Sequence, residues 1–223
     1  MEKAKKLAYL EWTLWILALI PLVATLILYP SLPEKIPMHW NARGEIDGWG
    51  GRNSAFLLPL IILGLSLLLK FIPKIDPHKK NYASFEGPYA LIRLGFVVFM
   101  GVIQAAILRS AFDAQAVKVD FLISLSMGAL FALLGYAMPK FRHNYFVGIR
   151  TPWTLANETV WKKTHQLGGR IWLAGGLVMI VSAALLKDTL LVGILMGMIL
   201  VMVLVPVIYS YIVFRQEDSK TQQ

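Results

Sequence analysis

The sequence predicts an all-α fold: a polytopic membrane protein with six transmembrane helices and both termini in the cytoplasm. Three observations carry this expectation. Of 223 residues, 57% are hydrophobic and 16% charged, whereas a soluble domain is about 45–50% apolar and about 25% charged. The apolar residues gather into blocks close to the roughly 20 residues that a helix needs to cross a bilayer. The cations, finally, collect on one side of those blocks, as they do on the inner face of a membrane.

Taken in order, the expected spans are Trp12–Tyr29, Ala55–Ile72, Tyr89–Leu108, Phe121–Met138, Ile171–Leu186 and Leu190–Phe214. The first follows Lys3, Lys5 and Lys6 like a signal peptide, but YPSLPEKIP offers no small-residue cleavage site, so an uncleaved helix is expected. Pro21, Pro59 and Pro206 fall inside spans, where neighbouring helices re-satisfy the freed backbone groups. Arg93 and Arg109 lie near opposite ends of the third span and are expected to snorkel to the headgroups. Gln104, deeper in that span, is expected to bond across to another helix. Gly193 with Gly197, and Gly128 with Ala132, read as small-residue packing faces. With the N-terminus inside, 16 of the 22 Lys and Arg are cytoplasmic. The loop 139–168 then faces the cytoplasm and the loop 30–52 faces out.

The chain has no cysteine, which excludes disulfides, thiolate metal sites and Cys nucleophiles. Its net charge of +9 resides in loops beside apolar helices. There it orients the chain and attracts anionic headgroups, so membrane lipids are an expected partner and direct nucleic-acid binding is not. No His-Glu-x-x-His helix, phosphate-cradling Gly loop or nucleophile elbow is present. The chain therefore reads as a non-enzyme, with no cofactor and no metal site.

Chemistry concentrates in the two long loops. The outer one, PSLPEKIPMHWNARGEIDGWGGR, is stiffened by Pro30, Pro33 and Pro37 and turned by Asn41, Gly44 and Asp47. Read plainly it is a compact loop pinned by aromatic rings. Read functionally it is a ligand surface made of His39, Trp40, Asn41, Arg43, Gly44, Asp47 and Trp49. The inner loop runs from Asn144 through Gly148 to a helix over 155–166, which Gly168–Gly169 is expected to end. An amphipathic helix lying in the interface is one reading. The other is a platform for a cytoplasmic partner built from Asn144, Gly148, Arg150, Thr151, Pro152, Trp153, Trp161 and His165, because Trp and Arg often carry binding energy. Both loops finish in Gly-Gly-Arg (50–52 and 168–170), and an inverted repeat of three-helix halves would account for that layout.

The runs IPMHWNARGEIDGWGGR and NYFVGIRTPWTLANETVWKKTHQLGGR resemble the two signatures of the SdpI family, integral-membrane immunity proteins of Gram-positive bacteria. The resemblance implies an N-terminal membrane domain of unknown function over 1–88 and an SdpI-type domain over 89–223. It further implies protection against a secreted antimicrobial peptide that collapses the membrane potential. That peptide toxin would be the outer partner, and a small transcriptional repressor held at the inner loop the second. Two alternatives stay open on the residues alone: a small-molecule or lipid transporter, and a structural membrane protein.

Overall fold

A computed structural model describes residues 2–221, the side chains of residues 3, 4 and 221 excepted, so Lys3 of the cation count lies outside the described side chains. Among the described residues, six helices are long and apolar enough to cross a membrane. They are α1 (Glu2–Leu28), α2 (Leu57–Ile75), α3 (Tyr82–Phe112), α4 (Val119–Ala137), α6 (Glu158–Leu185) and α7 (Asp188–Thr221); the five-residue α5 (Pro152–Ala156) precedes α6. Each contains the core of one expected span. Large apolar side chains remain exposed along them, including Ile16, Ile27, Leu60, Leu68, Leu200 and Ile208. Apolar surface on this scale belongs against lipid. The protein is a multi-pass membrane protein.

The helices form two groups of three, α1–α3 and α4, α6, α7, which meet where α3 packs on α4. Beneath this lies a plain steric cause. A Cβ added to Gly135 would come 2.2 Å from the Leu173 backbone nitrogen, and one on Gly176 would come 2.3 Å from that of Ala132. A Cβ on Gly128 would approach the Gly176 carbonyl oxygen to 2.9 Å. Helices α4 and α6 thus touch backbone to backbone, along glycines spaced seven apart on each helix. Gly128 and Ala132 behave as expected. Gly193 and Gly197 do not, for nothing lies within 4 Å of either added Cβ.

Gly168–Gly169 also depart from expectation. Rather than ending a helix they lie inside α6, where an added Cβ on Gly169 would strike Pro139 at 2.5 Å. From Glu158 onward the predicted loop helix and the fifth span are therefore one continuous helix, α6, while Leu155 and Ala156 belong to the short α5. Gly50–Gly51, the pair that precedes Arg52, end a strand, so the shared Gly-Gly-Arg has no common local structure. The division expected between 88 and 89 falls inside α3, just past its kink at Phe85.

Two polar contacts bind the first group. Gln104 donates to Thr25 Oγ1 (2.9 Å) and to the Ala55 carbonyl (3.0 Å), joining three segments as expected. Arg93 does not snorkel. It is 6% exposed and holds Glu11 through two hydrogen bonds of 2.7 and 3.2 Å, while Trp15 and Lys70 also reach that carboxylate. At the opposite end of the chain α6 and α7 are separated by two residues, Leu186 and Lys187, after which Asp188 has a φ of 55°.

Candidate functional site: two polar ends of one bundle

The loop between α1 and α2 folds as a β-hairpin, a structure its prolines concealed. Strands β1 (Lys35–Trp40) and β2 (Ile46–Gly51) pair antiparallel with an irregular register around His39. Both strands are edges, which is why Pro37 is tolerated within one. Gly48 and Gly50 leave room for the side chains of His39 and Met38, each of which would lie 2.8 Å from an added Cβ.

Asn41 organises the hairpin turn. Its side-chain oxygen accepts the backbone N–H groups of Arg43 (2.8 Å) and Glu45 (3.1 Å), and its amide donates to the Glu45 carboxylate at 2.8 Å. Gly44 takes a φ of +72°, the left-handed conformation that favours glycine. The Asn41 amide and the Arg43 guanidinium hold the Glu45 carboxyl below the usual carboxylate range. Across the strands His39 Nδ1 lies 2.5 Å from Asp47 Oδ1, both side chains being exposed. Trp49 is 58% exposed. Trp40, by contrast, packs partly into the cluster of Leu32, Ile36, Ile107 and Leu108 that seats the hairpin on the end of α3. The expected outer residues therefore do gather on one element. Asn41 and Gly44 shape it, while His39, Arg43, Asp47 and Trp49 face outward.

The opposite end of the bundle is closed by a cap over 138–157. Here the structure separates anchors from scaffold. Trp161 and His165 are each 1% exposed and so form no part of an accessible platform. Trp161 Nε1 donates to the Phe141 carbonyl at 2.9 Å, and its ring stacks on His165 at 4.0 Å. His165 Nε2 accepts the Ile149 N–H at 3.0 Å, and Nδ1 lies 2.8 Å from the Trp161 carbonyl. Since an N–H only donates and a carbonyl only accepts, the ring hydrogen belongs on Nδ1. Gly148, at a φ of +112°, makes this possible: an added Cβ would sit 2.2 Å from His165 Nε2.

Asn144 is likewise buried, accepting from Phe146 N and Val147 N and donating to the Arg142 and Val147 carbonyls. Thr151 and Thr154 form a reciprocal capping box with Pro152 at the first helical position. Thr151 also reaches Ser210 on α7 at 3.0 Å. What stays open at this end is Gly148, Arg150, Pro152 and one side of Trp153, beside the exposed rings of Tyr145 and Phe146.

Asp76 is a positioning residue the sequence reading missed. Buried at the end of α2, it accepts from His78 N (2.7 Å), Tyr145 N (3.0 Å) and the Tyr82 hydroxyl (2.9 Å). Asn81 donates to the His143 carbonyl at 2.6 Å. These bonds knot the first helix group to the cap. An Asp-Pro pair just after an apolar run was the available signal, since such residues stop helices and accept from following N–H groups.

His143 lies against His78, the rings 4.8 Å between centres and tilted by 51°, within this knot. Burial, and then the neighbouring His78 charge, push its pKa below the ordinary histidine value. The unfolded chain takes up that proton near pH 6.5 and the folded chain only below it. Below about 6.5 the unfolded state thus binds more protons, and stability falls as pH falls towards the lowered value. Thermal melting of the detergent-solubilised protein between pH 7 and pH 5 is expected to decline, and His143→Gln to lessen that decline.

Among the described residues no group of three or more His, Cys, Asp or Glu is placed to hold a metal ion. Set against known proteins, residues 140–210 match the SdpI/YfhL protein family, and residues 16–63 match a domain of unknown function, DUF1648. The immunity protein SdpI of Bacillus subtilis (strain 168) is 26% identical over 166 residues, covering 74% of this chain and 77% of that protein. No solved structure matches. The first match falls on the cap, α5, α6 and part of α7, and the second on the latter half of α1, the hairpin and the start of α2.

Proposed function

We propose that this protein, whose residues 140–210 match the SdpI/YfhL family, is a membrane immunity protein that protects its cell from a secreted antimicrobial peptide. The observation that carries the proposal is the relation to an immunity protein over most of both chains. The bundle suits the role, because it presents one exposed polar face at each end. In this reading the termini and the cap are cytoplasmic and the hairpin is outside, which the distribution of Lys and Arg supports. The lack of cysteine gives a clean test of that orientation. A single cysteine at Trp49 should react with an impermeant thiol reagent in intact cells, and one at Arg150 only after permeabilisation.

The hairpin is then the peptide-facing surface, through Trp49, His39, Asp47 and Arg43. Arg150, Pro152 and Trp153 form the surface for a cytoplasmic repressor, with Asn144, Thr151, Trp161 and His165 as its scaffold. Toxin binding recruits that repressor only if the two states of the bundle differ in affinity for the peptide. The deciding measurement is membrane potential in a peptide-sensitive bacterium expressing the protein and challenged with a depolarising peptide toxin. A potential that holds is the expected result. Collapse at the dose that depolarises the empty-vector control, with the protein present in the membrane, overturns the proposal. Trp49→Ala is expected to lower protection while leaving the amount of membrane-inserted protein unchanged.

A further inference from the structure

A cavity of about 760 Å³ opens at the cap end, between the end of α4 and the start of α6. Lys140, Arg142 and Lys162 line it, and among the described residues none of these has a carboxylate at salt-bridge distance. Lys163, on the same wall, is instead held by Glu217 at 2.9 Å. One carboxylate, Glu158, faces the three free cations, so the cavity is net positive. His143 also lines it.

Lys140, on the cavity wall, lies just past the end of the spanning helix α4. Lys140 Nζ sits 3.5 Å from the centre of the Tyr136 ring, on the exposed side of the last turn of α4. An exposed tyrosine and a cation at the end of a span mark the headgroup level. An anion reaching this cavity from the bilayer would meet a fork-shaped guanidinium and two ammonium groups, the donors that recognise phosphate.

We propose that this cavity is a phosphate-binding site selective for groups of net negative charge, supplied by an anionic phospholipid headgroup or by free phosphate. The inference does not depend on the immunity reading. Its test uses the full-length protein in detergent, titrated with phosphatidylglycerol, phosphatidylcholine or inorganic phosphate, with bound lipid counted by native mass spectrometry and melting temperature followed in parallel. Phosphatidylglycerol should bind and raise the melting temperature, and phosphatidylcholine should not. Arg142→Gln and Lys162→Gln should each weaken binding by about fivefold, the effect of one juxtamembrane cation on an anionic surface. Lys187→Gln, beyond the opposite end of α6, should leave it unchanged.

Binding of phosphatidylglycerol that inorganic phosphate fails to displace identifies the lipid as the source. Displacement by millimolar phosphate identifies a general phosphate site. Equal binding of the two lipids, or binding indifferent to both cap variants, overturns the proposal. Arg142 and Lys162 are exposed, so melting without added anion verifies that each variant is folded.

Discussion

Gly176→Leu is expected to leave little folded protein in the membrane. The added side chain has no free space to enter, because its first carbon would already lie 2.3 Å from the Ala132 nitrogen and 2.6 Å from the Gly128 oxygen. These are backbone atoms, so no rotamer change relieves the clash, and α4 must separate from α6 along the whole seam. Overpacking in a tight core costs about 1–3 kcal/mol, and a clash with backbone belongs at or above the top of that range. Gly193→Leu supplies the contrast, since that glycine faces open space on a lipid-exposed helix. Measured as detergent-extractable, monodisperse protein and as melting temperature, the first variant should fail and the second should match the parent. Equal behaviour of the two would show that the seam does not hold the bundle together.

Glu11→Gln should be the next most damaging change. It leaves the Arg93 guanidinium buried without its carboxylate, and Arg93 Nε already has no partner. Breaking a buried ion pair by removing one member costs about 3–5 kcal/mol, largely the desolvation of the stranded charge. Removing both charges should therefore be milder than removing one. The double variant Glu11→Leu/Arg93→Met is expected to recover most of the lost melting temperature, in the manner of a double-mutant cycle. A double variant no better than Glu11→Gln would mean that the pair contributes through something other than its charge.

The parts of this structure that were legible in the sequence are those governed by composition and nearest neighbours. Length and apolarity located six spans, whereas the helix expected over 155–166 is broken at Asn157, which ends α5 and caps α6. Misreadings arose wherever one residue type serves two purposes and a distant partner chooses between them. Gly168–Gly169 look like a helix stop until Pro139 is seen to require the missing Cβ. Arg93 looks like a snorkelling cation because its counter-charge lies 82 residues away. Trp161 and His165 share a polar neighbourhood with Lys162 and Lys163 and so read as surface anchors. Only the fold of 141–149 over them reveals a buried stack. The outer-loop residues singled out by type do share one hairpin, but three prolines hid the strands that gather them.

The two-residue link between α6 and α7 bears on biogenesis. Of the six spans α6 is the least apolar and α7 the most. The first turns of α6 carry Glu158, Lys162, Lys163 and Gln166, so alone it is a reluctant entrant into hydrocarbon. A connection this short forbids the two from partitioning at separate times, and obliges them to cross as an antiparallel pair. The surplus apolarity of α7 then carries its partner across. Lengthening the 186–187 link would uncouple their entry, and nascent chains would stall with α6 outside the bilayer.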